Sequence, residues 1–243
     1  MSAALTHDLA TAPEQLGAGI AAPELPVAVL VPGLGLDARS WVAVRHLLWG
    51  PSMVVLLPSM GHPAARRSDL RTERQAQRLL AAMPSGQRSV LVGHSASCPV
   101  VVEAAARSSD VVGLVLVGPV TDPRAQSWPR MLGQWLRVAR HERPQESPLL
   151  LSQYSRTGAL SMLRGMNAVR RFRTDERLRA LRLQVEIIRG EQDRIAPADW
   201  CSRLRSVSDG RLTTVAGAAH MVPLTHPSAV VAGIQRVRVL AGP

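Results

Sequence analysis

Lysine is absent from this chain of 243 residues, so arginine alone carries its positive charge. The formal net charge of +11 is compatible with three kinds of partner, which are nucleic acid, an acidic surface and an anionic ligand. Aromatic residues make up only 3% of the chain, and no nucleic-acid-binding motif accompanies the arginines. We therefore expect no nucleic-acid partner, and we attribute the charge to a general arginine bias.

Cysteine and long apolar runs are also scarce. The chain has two cysteines, Cys98 and Cys201, which are too few for a disulfide framework. No run of about twenty apolar residues is present, so no membrane span is expected. Residues 1–24 lack the basic and apolar segments of a secretory signal, and we interpret them as an N-terminal arm. These features predict a cytoplasmic, reduced protein, and nothing in them indicates an oligomeric state.

Short runs rich in valine and leucine alternate with helical segments from residue 25 onward. We predict strands at residues 26–31, 53–57, 89–92, 111–117, 185–189 and 212–215. Continuously apolar strands separated by helices are typical of a parallel sheet buried on both faces. The sequence therefore predicts an α/β fold with about six strands, whose carboxyl ends share one edge where ligands bind.

One interval breaks this alternation. Residues 122–182, which we call the cap interval, show helical patterns at 128–140 and 158–171 and no strand. We expect this interval to be a helical cap over the sheet edge, inserted into a core formed by residues 25–121 and 183–243.

The cap interval also offers side chains that could contact a ligand. An apolar stripe at helical spacing predicts packing between cap and sheet, or the acyl side of a pocket, with Trp135 as the candidate substrate contact. The stripe consists of Met131, Leu132, Trp135 and Leu136. Three nearby arginines, Arg170, Arg171 and Arg173, are expected to face solvent, and an anionic substrate is the alternative.

The strongest chemical signal is the pentapeptide Gly-His-Ser-Ala-Ser at residues 93–97, between a predicted strand and a predicted helix. A sharp strand-to-helix turn exposes a serine hydroxyl, so Ser95 is the predicted nucleophile. Such turns favour small residues two positions before and after the serine. Here Gly93 meets that preference, whereas Ser97 stands at the second position. Cys98 follows, and we interpret it as a small core residue rather than a thiol nucleophile.

Backbone groups near this turn could bind an oxyanion. The Ala96 N–H lies at the start of the helix, where the helix dipole favours negative charge. The loop Pro-Gly-Leu-Gly at residues 32–35 follows the first strand, and the Leu34 N–H is the candidate second donor. Gly33 would let the backbone approach a substrate, and a simple tight turn is the alternative. His94 is interpreted as packing within the turn, with a substrate contact as its functional alternative.

A serine nucleophile needs a base and a group that orients the base. His220 follows the last predicted strand, and Asp193 follows the strand before it, so both should project from the same sheet edge as Ser95. The chain order Ser, Asp, His is the one expected of this fold. Asp122 and Glu191 remain alternative acids. His62, after the second strand, is interpreted as structural.

These motifs resemble the α/β-hydrolase superfamily, particularly its single-domain esterase and lactonase-like members. The resemblance runs from Val27 to Leu240, and it implies Ser95 as nucleophile, His220 as base and Asp193 as acid. Two positions depart from the pattern: the family often has His-Gly where this chain has Pro32 and Gly33, and Ser97 replaces a glycine.

The functional prediction is a serine hydrolase that cleaves a carboxylic ester, lactone or thioester of a small, apolar molecule through an acyl-enzyme. Acyl transfer, C–C bond hydrolysis and lyase or cyclase chemistry by the same triad are alternatives, and a non-catalytic binding protein is a further one. No His, Cys and carboxylate cluster has metal-ligand spacing, and no dinucleotide or phosphate motif is present, so we expect neither metal nor cofactor.

Overall fold

The structure is a computed structural model, and it describes residues 25–142 and 144–242. The predicted N-terminal arm at residues 1–24 lies outside the described residues. Within the described part, strands and helices alternate along most of the chain and form a layered α/β architecture.

The main sheet has six strands, all parallel, as the sequence predicts. In spatial order it reads β2-β1-β5-β6-β7-β8. Its strands are β1 (Val27–Val31), β2 (Ser52–Val54), β5 (Ser89–His94), β6 (Val111–Val117), β7 (Gln184–Gly190) and β8 (Arg211–Val215). A separate short pair follows β2 and consists of β3 (Leu57–Pro58) and β4 (Gly61–His62).

The helices cover both faces of the sheet and one of its edges. They are α1 (Val42–Leu47), α2 (Thr72–Ala82), α3 (Cys98–Ala105), α4 (Trp128–Ala139), α5 (Ser147–Thr157), α6 (Ala159–Val169), α7 (Thr174–Arg179), α8 (Ala198–Ser208), α9 (Val222–Thr225) and α10 (Pro227–Ala241). Among the described residues, none of these helices is long and apolar enough to cross a membrane.

Two buried apolar clusters lie on opposite faces of the sheet. On one face, α3 and α8 pack against the central strands, and Leu91, Leu114 and Ile187 are fully buried there. On the other face, α10 and α1 cover the sheet around Trp41 and Ile234. Because both faces are covered, β1 and β6 contain only apolar residues and glycine, whereas β5 has Ser89 and His94 at its ends and β7 carries Gln184, Glu186 and Arg189.

The second predicted strand is shorter than expected. Residues 53–57 read as one apolar run, but the strand is Ser52–Val54, and Leu57 pairs instead with Met60 and Gly61. Pro58 has no N–H to donate, and Ser59 adopts a positive φ of 67°, so the chain turns away from the sheet at this point.

The cap interval contains helices α4 to α7. Two of them, α4 and α6, match the helical patterns of the sequence, whereas α5 and α7 were not predicted. Helix α7 packs against α3 and α8 in the helical layer beside the sheet. The helices of the cap interval outside this layer are therefore α4, α5 and α6.

Candidate active site

Ser95 lies on a strained turn at the carboxyl end of β5. Its φ is +57°, a value that costs free energy for a residue with a side chain and marks a constrained position. Gly93 precedes it where a Cβ would lie 2.8 Å from the Val101 side chain and 3.0 Å from the Cys98 Cα. Only glycine lets β5 and α3 approach this closely, which explains the first small residue of the pentapeptide.

Ser97 performs a task that glycine could not. Its Oγ accepts a hydrogen bond from the His94 N–H at 2.8 Å. Its single proton lies between the carbonyls of Val31 and His94, each 2.9 Å from Oγ. Ser97 is fully buried. The departure from glycine therefore ties the turn at Ser95 to the end of β1, from which the loop at residues 32–35 starts.

A hydrogen-bonded chain joins the three residues that sequence reasoning selected. The Ser95 Oγ lies 2.9 Å from His220 Nε2, and His220 Nδ1 lies 2.8 Å from Asp193 Oδ2. An ionised carboxylate can only accept, so His220 Nδ1 carries a proton and Nε2 is free to accept the Ser95 proton. Such a chain can raise the nucleophilicity of a serine hydroxyl.

Asp193 is the carboxylate that contacts His220. Its other oxygen, Oδ1, accepts from the Ile195 and Ala196 N–H groups at 2.8 and 3.0 Å. Burial opposes the charge of Asp193, but His220 and these hydrogen bonds hold the pKa of its carboxyl below the ordinary value. Asp193 is therefore ionised at neutral pH.

The two alternative acids have other partners. Asp122 is paired with Arg124, whose backbone N–H and guanidinium both donate to it. Glu191 accepts from the Gly217 N–H at 2.9 Å. Neither carboxylate contacts His220 in the described structure, whereas Asp193 does.

The two histidines beside Ser95 have opposite electrostatic environments. Burial opposes protonation of His220, but the charge and hydrogen bond of Asp193, together with Glu142, raise the pKa of His220 above its ordinary value. Burial and the neighbouring His220 lower the pKa of His94 to about 3, so His94 is neutral. His94 Nε2 lies 3.2 Å from the His220 carbonyl oxygen, and the two rings lie 5.1 Å apart.

Gly118, at the end of β6, leaves room for the His220 ring. Its φ is +55°, and a Cβ there would lie 2.9 Å from His220 Cε1 and 3.3 Å from Asp193 Oδ2. Any side chain would push into the imidazole or its partner carboxylate. Sequence reasoning missed this glycine, although its position directly after a predicted strand was a usable signal.

The loop after β1 is held by the cap interval. Gln153, fully buried in α5, accepts from the Asp37 N–H at 2.7 Å through its side-chain oxygen. Thr157, one turn further along α5, donates its hydroxyl to the Gly35 carbonyl at 3.1 Å. The loop that carries Gly33 and Leu34 is thus tied to β1 at one side and to α5 at the other. Neither α5 contact was predicted.

A cavity of about 630 Å³ opens over Ser95 between the sheet edge and the cap interval. Gly33, Leu34, His94 and His220 line it together with Ser95, whereas Ala96 is fully buried and is not a lining residue. Most of its other walls are apolar side chains of the cap interval. These are Ala125, Trp128, Pro129, Met131, Leu132, Trp135, Met162, Leu163 and Met166. The apolar stripe of α4 therefore lines the cavity, except for Leu136.

The arginines of the cap interval differ from the expectation at one position. Arg171 and Arg173 are exposed, as predicted. Arg170 instead lines the cavity, with its guanidinium 5.5 Å from the centre of the Trp128 ring. It also donates to the Gln126 carbonyl at 2.7 Å, which holds it against the wall.

From the sequence, we interpret His62 as a structural residue and Cys98 as a small core residue. His62 is exposed, with Nδ1 3.0 Å from the Pro63 carbonyl oxygen. Cys98 is fully buried, and burial raises the pKa of its thiol well above the ordinary value. No group of three His, Cys, Asp or Glu side chains within residues 25–142 and 144–242 could hold a metal ion. The expectation of a metal-free site stays a prediction.

A six-stranded parallel sheet with a hydrogen-bonded Ser, His and Asp at its carboxyl edge is consistent with the α/β-hydrolase fold. The model of the Alpha/beta hydrolase family matches residues 28–234. The chain therefore belongs to the alpha/beta hydrolase family.

Solved structures with the same fold are distant in sequence. A thermophilic esterase is 19% identical with a TM-score of 0.72, covering 90% of this chain and 92% of its own. An N-acyl homoserine lactone degrading enzyme is 16% identical with a TM-score of 0.69, covering 88% and 93%. A serine hydrolase involved in carbazole degradation is 16% identical with a TM-score of 0.66, covering 89% and 91%. No curated protein sequence matches this chain.

Proposed function

We propose that the protein is a serine hydrolase that cleaves carboxylic esters, lactones or thioesters through an acyl-enzyme formed on Ser95. The observation that carries the proposal is the hydrogen-bonded chain from the Ser95 hydroxyl through His220 to Asp193, with the serine open to the cavity. The esterase and the lactone-degrading enzyme that share the fold are consistent with this chemistry.

In the proposed reaction, Ser95 Oγ attacks the substrate carbonyl carbon while His220 Nε2 takes the hydroxyl proton. The Asp193 carboxylate stabilises the imidazolium that forms. The Leu34 and Ala96 N–H groups are the proposed donors to the oxyanion. His220 returns the proton to the leaving group, and the same base then activates the water that releases the acid and restores Ser95.

The cavity supports an apolar substrate. Its volume of about 630 Å³ is typical of clefts that enclose small organic ligands. Its walls are mainly aliphatic and aromatic, so they favour an apolar acyl or alcohol part, and Gly33, His94 and Trp135 are the proposed contacts. Arg170 supplies a positive charge in the wall, which gives an anionic end group a place to bind.

The test combines covalent labelling with turnover. A fluorophosphonate probe should label the wild-type protein and a Ser127→Ala control, because Ser127 does not line the cavity, and it should not label Ser95→Ala. Turnover of p-nitrophenyl esters, lactones and thioesters of graded acyl length should fall by at least 10³-fold in Ser95→Ala. One series of esters should carry a terminal carboxylate on the acyl chain, to test whether Arg170 favours an anionic end group.

The same assay separates the alternatives. Faster capture of the acyl group by an added alcohol than by water would favour an acyltransferase. Labelling without turnover of any ester, lactone or thioester would favour C–C cleavage or lyase chemistry. Absence of labelling at Ser95 would contradict the proposal and leave a non-catalytic binding protein.

A further inference from the structure

One carboxylate of the cap interval reaches the loop that carries His220. Glu142 lies between α4 and α5, and its Oε1 accepts from the His220 N–H at 2.8 Å and from the Met221 N–H at 3.1 Å. The contact joins residues 78 positions apart. It holds the main chain of the histidine whose side chain is held by Asp193.

The second oxygen of this carboxylate is in an unusual state. Glu142 Oε2 is buried and has no hydrogen-bond partner within the described residues. Glu142 also lines a second cavity of about 220 Å³, whose walls include Tyr154 and both residues that Oε1 contacts. A buried, unpaired carboxylate oxygen is costly, so the site retains Glu142 at a cost in stability.

We propose that Glu142 is a positioning residue of the active site, which fixes the backbone of His220 and places a second negative charge beside the imidazolium formed during turnover. The proposal rests on the proposed role of His220 as the base. It assigns to the cap interval a part in the chemistry, in addition to enclosing the substrate. Asp193 then orients the ring from one side, and Glu142 acts through the main chain and through its charge.

Within residues 25–142 and 144–242, three polar side chains other than Glu142 contact His220. Asp193 faces its Nδ1, Ser95 faces its Nε2, and His94 packs against its ring. Of these neighbours, His94 is neutral because burial lowers its pKa to about 3. The pKa of the Glu142 carboxyl lies above its ordinary value, because burial raises it by more than His220 and the two N–H groups lower it. Removal of the Glu142 charge should therefore lower the pKa of His220.

The test uses the full chain with Glu142→Gln and Glu142→Ala. Glutamine keeps an oxygen acceptor for the His220 and Met221 N–H groups, removes the charge and places an NH2 group where Glu142 has its second oxygen. For Glu142→Gln we expect the pH midpoint of the acidic limb of kcat/KM to fall by about 0.5 to 1 unit. Glu142→Ala also removes the acceptor, and its kcat/KM at the pH optimum should fall by about tenfold.

The matched control is Glu191→Gln. Glu191 is an exposed carboxylate that accepts from the Gly217 N–H of the same loop, and it does not contact His220. Its midpoint should stay within 0.2 unit of wild type. The proposal is overturned if both Glu142 variants keep the wild-type pH midpoint and the wild-type kcat/KM. Glu142 would then be a structural contact only, whether or not the Tm of the variants falls.

A readout that does not need turnover keeps this outcome separate from failure of the proposed function. In protein with isotope-labelled histidine, the His220 resonance is the one that is lost in His220→Gln. Its NMR titration should show the same downward shift in Glu142→Gln. An unshifted titration overturns the proposal about Glu142 even if the protein hydrolyses esters. A shifted titration in a protein that hydrolyses nothing supports the charge coupling and contradicts the hydrolase proposal.

Discussion

The sheet edge and the cap interval contribute to the site in different ways. At the sheet edge, Ser95, Asp193 and His220 each follow the carboxyl end of a parallel strand, so the backbone topology alone brings them together. In the cap interval, the side chains that face the site come from separate helices and from an irregular segment. The edge carries the proposed chemistry, and the cap interval carries the cavity walls and contacts such as those of Glu142 and Gln153.

The two regions should therefore respond differently to substitution. Substitutions at the sheet edge should reduce kcat because they act on the reacting groups. Substitutions in the cavity walls should change KM and the preference among substrates because they act on binding. Glu142 and Gln153 cross this division, since they belong to the cap interval and hold loops of the edge.

Among substitutions that keep Ser95, the largest effect is expected from Asp193→Asn. Asparagine at this position presents an amide that no longer stabilises the imidazolium or the required tautomer, so kcat should fall by roughly 10³- to 10⁴-fold. Steady-state kinetics on a p-nitrophenyl ester measure the change, and circular dichroism checks that the fold is kept.

Asp122→Asn is the matched control, because Asp122 is another buried carboxylate at the cavity and pairs with Arg124 instead of His220. Its kcat should stay within about tenfold of wild type. A larger loss in Asp122→Asn than in Asp193→Asn would indicate that Asp122, in the cap interval, orients His220. It would contradict the assignment of the chemistry to the sheet edge.

The next effect is the dependence of activity on pH. His220 must be neutral to accept the Ser95 proton, so kcat/KM is lost as pH falls through the pKa of His220. Because Asp193 and Glu142 raise that pKa, the midpoint of the acidic limb should lie above the ordinary histidine value of 6.5. Below the midpoint, kcat/KM should decrease about tenfold per pH unit. A midpoint below 6.5 in a kcat/KM profile would show that burial outweighs both carboxylates.

The sequence predicted the strands of the sheet and three residues that meet at its edge, whereas the contacts of Glu142 and Gln153 in the cap interval were not predicted, for a physical reason. Strands buried on both faces leave continuous apolar runs, and loops at their carboxyl ends must meet, so Ser95, Asp193 and His220 could be selected without a structure. Glu142 lies in a stretch of charged residues that has no period or motif. Its partners are backbone N–H groups, which every sequence provides, so no pattern could indicate the contact.

The smallest effect is expected from Trp135→Ala, which tests the cap interval alone. Trp135 lines the cavity and is 50% exposed, so its loss should leave the fold intact and remove contact area from a bound acyl chain. For p-nitrophenyl octanoate we expect KM to rise about three- to tenfold, equivalent to about 1 kcal/mol, with kcat within about twofold. For the acetate ester, which is too short to use this wall, KM should change less.

Leu136→Ala provides the control for this substitution. Leu136 is the next residue of α4 and is also 50% exposed, but it is absent from the cavity wall. Its KM values for both esters should match wild type. If Leu136→Ala raised KM as much as Trp135→Ala, the effect would come from a general loosening of α4. If Trp135→Ala reduced kcat and left KM unchanged, Trp135 would act on the chemical step. Helix α4 would then contribute to the chemistry as well as to substrate binding.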